Sequence, residues 1–176
     1  MRRMIIASIT VVMCLLLAAC SSTFKVKTDF DTEYNFSELK TYIWDVDANQ
    51  IESLSMQRFR TAIEAVLLEK GSELASNRET ASLMLRLRIG TEDRKEVRPT
   101  PAMGHWGGGD NDVYWHAYQL ELFIVEFIQV EKNRVVWESK ASARTNNDLT
   151  PPERDERANK AAQVLLKTFP PAYTQH

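Results

Sequence analysis

Hydrophobic positions in this chain come first as a block and then as alternations. The block runs from Ile5 to Leu17, behind Met1-Arg2-Arg3, with only Ser8, Thr10 and Cys14 as mild interruptions. From Phe24 to Phe30 apolar and polar residues alternate with the period of two that marks a half-buried strand. Asp31 to Asn35 reads as a turn, and Lys40-Thr41-Tyr42-Ile43-Trp44 is dense enough in β-branched and aromatic residues to form a second strand. Between Ile51 and Lys70 the apolar residues Leu54, Phe59, Ile63, Val66 and Leu67 fall near helical spacing, with Gly71 as the stop.

The period returns to two at Ala81: Leu83, Leu85, Leu87 and Ile89 share one face, and Met84, Arg86 and Arg88 a wetter one. A long polar, glycine-rich insert is expected next. Tyr118 to Val130 then alternates through Leu120, Leu122 and Ile124 and changes phase at Val125 and Phe127, which predicts a bulge or burial on both faces. Glu131-Lys132-Asn133-Arg134 is expected to turn the chain into a paired strand carrying Val135, Trp137, Ser139 and Ala141. Thr150-Pro151-Pro152-Glu153 supplies a cap, a first-turn proline and a carboxylate three residues after the cap. The helix it opens carries a stripe of Ala158, Ala161, Ala162, Leu165 and Phe169, and Pro170-Pro171 ends it. The order β-β-α-β-β-β-α predicts an α+β fold: a mainly antiparallel sheet of about five strands with two helices on one face.

The N-terminal block has a different meaning. Two arginines, an apolar stretch too short for the roughly 20 residues of a spanning helix, and Leu17-Ala18-Ala19-Cys20 have the layout of a cleaved signal. Any secretory cut needs small residues before it; a thiol directly after it is needed where the sulfur takes up lipid. Residues 1–19 are therefore expected to be removed as a lipoprotein signal peptide, with Cys20 lipidated and 20–23 as a short tether. Two or three acyl chains anchor stably where one does not. The site resembles that of bacterial lipoproteins sorted to the outer membrane, because Ser21 follows Cys20 where inner-membrane retention uses Asp. Four extended residues reach about 14 Å, so the folded part, residues 24–171 before a short tail at 172–176, is expected to sit close to the bilayer.

Processing also changes the composition. A formal net charge of −2 becomes −4 once Arg2 and Arg3 leave, which points away from nucleic acid. Cys14 leaves too and Cys20 is consumed, so the remaining chain has no thiol for a disulfide, a metal or catalysis. About 157 residues remain, enough for one domain burying about 70% of its unfolded surface.

Thr28-Asp29-Phe30-Asp31, Phe36 through Thr41-Tyr42-Ile43-Trp44, Val135-Val136-Trp137-Glu138 and Leu165-Leu166-Lys167-Thr168-Phe169-Pro170-Pro171 occur in an order and spacing that resembles the bacterial lipoproteins of the domain of unknown function 4136 family. The resemblance implies an α+β envelope domain and carries over no catalytic residue.

Candidate chemistry concentrates between Pro99 and His116, expected to be a flexible loop. Gly107-Gly108-Gly109 lacks the Lys-Ser or Lys-Thr of a phosphate loop. His105, Asp110, Asp112 and His116 are the candidates for a divalent cation, and Trp106, Tyr114 and Trp115 for stacking on a glycan or inserting at a lipid interface. Trp44 and Trp137 are expected in the core with indole N–H groups on carbonyls, and Asp29 and Asp31 in a turn or strand end rather than as an acid pair. The histidines are His105, His116 and terminal His176, which leaves no base in a predicted element for a Ser-His-Asp arrangement. No cofactor is expected. The expectation is a non-enzymatic, lipid-anchored envelope domain with an unidentified envelope protein as partner; the alternative is a ligand-binding module using the 99–116 loop.

Overall fold

A computed structural model of the chain describes residues 24–37, 40–45, 51–98 and 114–170. Its strands are β1 (Lys25–Phe30), β2 (Thr41–Trp44), β3 (Glu73–Leu74), β4 (Leu83–Arg98), β5 (Tyr114–Gln129) and β6 (Arg134–Arg144); its helices are α1 (Leu54–Glu69) and α2 (Pro151–Leu165). They form one six-stranded sheet in the order β1-β6-β5-β4-β2-β3. The α+β class is as the patterning predicts, but the sheet has six strands rather than five, and β2 runs parallel to both neighbours, β3 and β4. The parallel pair has a topological cause: β2 and β4 are joined through α1, and a helical crossover returns the chain in the same direction.

Local signals fix both helices. Ser53 accepts from the Met56 amide at the start of α1. At its end Gly71, with φ +79°, allows the Ser72 amide to reach the Leu67 carbonyl at 2.9 Å and the Gly71 amide that of Leu68 at 3.0 Å, closing the last turn. At the start of α2 the Thr150 amide and hydroxyl both donate to Glu153, at 2.8 and 2.6 Å, and hold that carboxyl below its usual pKa. Ala158, Ala161, Ala162, Leu165 and Phe169 are all buried as the stripe requires, whereas Leu54, at the first position of α1, is exposed.

Strand register explains the core. Across the sheet Leu85, Phe127 and Trp137 are direct partners, as are Ile89, Phe123 and Ala141, so these side chains stand on one face. That face packs with Phe59, Ile63 and Leu67 of α1 and the α2 stripe into one cluster. Phe127 stacks on Phe169 at 4.0 Å between centroids, and Trp137 meets both edge-on at 5.3 and 5.1 Å.

The change of phase near Val125 is burial on both faces, the second of the two expected causes: β5 keeps its register with β4 while Phe123, Val125 and Phe127 are buried on one face and Glu126 and Ile128 on the other. A bulge does lie close by, in β6. Phe127 pairs with Trp137 and Ile128 with Val135, leaving Val136 unpaired and buried beside Trp137. The slip turns Val135 out of the core row predicted for it, and Val135 is exposed. The sharp turn before β6 uses Asn133 with φ +48°.

The expected insert after Ile89 begins and ends in strand. β4 continues to Arg98 and β5 begins at Tyr114, pairing in unbroken register from Leu83↔Gln129 to Arg98↔Tyr114. Tyr114, Trp115 and His116 thus lie on β5 and not in a loop. β6 pairs with β5 only as far as Leu120↔Arg144 and β2 with β4 only over Leu83 to Leu85, so the outer part of the hairpin is a two-stranded arm extending past the rest of the sheet.

Candidate functional site

Three places gather polar chemistry. On the sheet face away from the helices, Glu126 is 5% exposed. It pairs with Arg88, while Arg86 stands 3.7 Å from its second oxygen and binds Asp45 through Nε at 2.7 Å. The strand register dictates this row, since Arg86 lies directly opposite Glu126, and Glu138 lies opposite Glu126 on β6. Glu138 in turn pairs with Lys140 at 2.9 Å. Every charge in the row has an opposite partner within the fold, which gives it a structural use: it lets a carboxylate lie beside the buried Met84–Ile128 pair. This face is less wet than Met84, Arg86 and Arg88 suggested. A lone acid within the apolar run Leu122–Ile128 was the available sign of a buried ion pair.

The second place is a cleft of about 490 Å³ lined by Asp29, Phe30, Asp31 and residues 135–138. Asp31 caps its own turn by accepting from the Glu33 amide at 2.9 Å and pairs with Arg134 at 2.8 Å. Asp29 accepts from the Phe30 amide at 2.9 Å. The two aspartates are strand-end residues, as their positions predict. Trp137 fills the core, but its indole Nε1 has no hydrogen-bond partner among the described residues, contrary to the carbonyl expected; Trp44 finds the Glu64 carboxylate, at 2.8 Å, in place of a carbonyl.

The third place is the end where the chain enters the fold. Phe24 is buried against the Phe123 edge at 5.9 Å, and Phe59 meets Phe123 at 5.0 Å. The Arg157 guanidinium lies over the Phe24 ring at 5.3 Å, pairs with Glu121 at 2.8 Å and donates to the Arg144 carbonyl at 2.8 Å. A small cavity of about 80 Å³ between the two helix N-termini adjoins these groups, room for two or three waters at about 30 Å³ each. Its other arginines are also engaged: Arg58 with Asp155 at 2.7 Å, and Arg154 with the carbonyls of Leu149 and Asn147. The arm leaves from this same end, braced by Arg144, which pairs with Glu96 at 2.7 Å and lies 4.2 Å over the Tyr118 ring.

Of the residues singled out in the sequence, Cys20, His105, Trp106, Asp110 and Asp112 lie outside the described residues. Trp115 is 66% exposed. His116 is exposed on β5 opposite Glu96. Strand alternation sends Trp115 to one face of the arm and His116 to the other, so the two cannot converge on one ligand. Among the described residues no group of three or more His, Cys, Asp or Glu side chains is arranged to hold a metal ion, and no helix is long and apolar enough to cross a membrane.

These features define an α+β protein with a single mixed sheet, helices on one face and a long hairpin arm at the end where the N-terminal segment enters. The chain belongs to the family described as domain of unknown function DUF4136, whose model matches residues 26–171. No curated protein matches it. Among solved structures it is similar to a PDZ domain protein from Parabacteroides distasonis, at 16% identity and a TM-score of 0.54, over 87% of this chain and 37% of that one. The chain thus spans little more than a third of that protein, and the likeness is one of fold. A DUF4136 family protein from Bacteroides thetaiotaomicron matches at 15% identity and a TM-score of 0.49 over 81% of this chain and 95% of that one. A minor lipoprotein from Acinetobacter baumannii matches at 12% and 0.35 over 73% and 91%.

Proposed function

We propose that this protein is a lipid-anchored component of the bacterial cell envelope, held through Cys20 at the periplasmic face of the outer membrane, and that its folded part is a non-enzymatic interaction or structural domain. The observation that carries the reading is the burial of Phe24 against Phe123 and Arg157. The fold is tied down from that residue on, four residues after the thiol that the Leu17-Ala18-Ala19-Cys20 sequence presents for lipid. The interaction role is supported by the polar groups around the described clefts, which are committed to one another: Arg157 to Glu121, Arg58 to Asp155, Asp31 to Arg134. The partner is an envelope protein.

The test is Cys20→Ala in cells fed labelled palmitate. The parent chain takes up label and sediments with the outer membrane; the variant loses both. Sedimentation of an unlabelled parent chain with membranes would sink the lipid-anchor reading.

A further inference from the structure

We propose that the β4–β5 arm rests on the lipid surface, with the exposed pair Val97 and Trp115 seated at the bilayer interface. The inference rests on Cys20 being the anchor and deepens that reading by giving the domain an orientation. Lys25 stands level in the sheet with Ser142, Leu122 and Gly90. From that level back to Cys20 the chain has five residues, a reach of at most about 18 Å. From the same level the arm runs eight residues in the direction of the incoming chain, from Gly90 to Arg98, or about 26 Å at the rise of a strand. With the domain standing on its tether, the arm is longer than the leash, and its outer residues reach the lipid before the tether is taut.

The surface of the arm suits that contact. Val97 and Trp115 are direct cross-strand partners, 47% and 66% exposed, on the face that also presents Lys95. A tryptophan and an aliphatic beside a lysine match the headgroup boundary, where an indole lies at the interface and an ammonium meets anionic phosphate. The same end of the molecule carries Ile51 and Leu54, 97% and 67% exposed, at the start of α1. Arg144, through Glu96 and the Tyr118 ring, braces the arm in the direction of the anchor.

The test places an environment-sensitive fluorophore on Val97→Cys in the mature lipidated protein, whose own Cys20 is blocked by lipid, and on Leu74→Cys as control. Leu74 is 56% exposed at the opposite end of the sheet. The proteins are reconstituted into vesicles of phosphatidylethanolamine and phosphatidylglycerol containing acyl-chain spin-labelled phospholipid, and unchanged melting shows that each variant is folded. Quenching at position 97 is expected to exceed that at 74 by about twofold or more, since only an interfacial label meets the spin probe. Equal quenching at both positions, on protein shown to carry lipid, overturns the arm contact and leaves the anchor standing. Absence of lipid on Cys20 overturns both. A label at 97 that is shielded without vesicles, in proportion to protein concentration, assigns the patch to a second copy of the chain and likewise overturns the proposal.

Discussion

The same two strands live in two environments. Between Leu83 and Glu92, β4 has β2 beside its first residues, β5 and β6 on its other side and the helices over one face; from Asp93 to Arg98, it has β5 alone. The backbone ladder is continuous through both halves, so hydrogen bonding does not distinguish them. What differs is what lies on the faces: Leu83, Leu85, Val125 and Phe127 are buried in the inner half, and Val97 and Trp115 exposed in the outer. A two-stranded ribbon is marginal in water by itself. The arm is therefore held by its inner half and by the Arg144 brace, and is free to spend its side chains on contact with something outside the fold.

That contrast is broken most directly by truncating an aromatic in each half. Trp137→Ala removes the ring that meets the stacked Phe127–Phe169 pair edge-on and is expected to cost about 3–5 kcal/mol, enough to unfold much of the population near 37 °C. Trp115→Ala removes a ring of similar size from the arm and is expected to stay within about 0.5 kcal/mol of the parent. Urea denaturation of both variants is the check. A cost above about 2 kcal/mol for Trp115→Ala would mean that the ring packs on the domain and is not free for lipid.

The inner half was legible in the sequence and the outer half was not, for one physical reason. Leu83, Leu85, Leu87 and Ile89 alternate because one side of the strand meets the helices; Thr91-Glu92-Asp93-Arg94-Lys95-Glu96 shows no alternation because both sides of a two-stranded ribbon are solvated. Counting register outward from Ile89 and Phe123 would have paired Val97 with Trp115. The parallel strand pair had a readable cause in the strand-helix-strand order of Tyr42, α1 and Leu83, whereas β3 is two residues held by bonds from Glu73 to Lys40 and from Ala75 to Tyr42 and leaves no periodic trace. Val136 shows the limit on the other side. The change of phase on β5 reflects burial on its two faces, whereas the bulge at Val136 in β6 depends on the pairing and not on either sequence alone. Of the candidate site, Trp115 could be named from the sequence, but its place on a strand and the reach of the arm are properties of the register.

A smaller effect separates the two faces of the inner half. Glu126 is buried with Arg86 and Arg88, whose side chains are 42% and 53% exposed. Removing the acid by Glu126→Ala leaves two guanidiniums that water can still reach, so the cost falls below the 3–5 kcal/mol of a fully buried pair, to about 2 kcal/mol. Glu126→Leu restores the volume without the charge and is expected to recover part of that loss, because the buried Met84–Ile128 pair lies beside the position. Recovery to parental stability in thermal melts would show that the ion pair contributes no net stability; a loss larger than that of the alanine variant would show that Arg86 and Arg88 depend on the carboxylate for their placement.

A smaller effect than that of Glu126 sits where the two halves meet. Gly90 lies in β4 opposite Leu122, and a Cβ built there has no atom within 4 Å. Its backbone is not in the left-handed region that would require glycine. Glycine in a strand leaves the unfolded chain more freedom than any other residue, so Gly90→Ala is expected to stabilise by about 0.5–1 kcal/mol. The gain has a second consequence that follows from position. Any stiffening at the junction favours the paired conformation of the residues beyond it, so hydrogen exchange of the arm amides from Glu92 to Val97 should slow along with global unfolding. If melting rises while those amides exchange as before, the arm opens independently of the sheet, and its orientation must come from the Arg144 brace rather than from the strands that carry it.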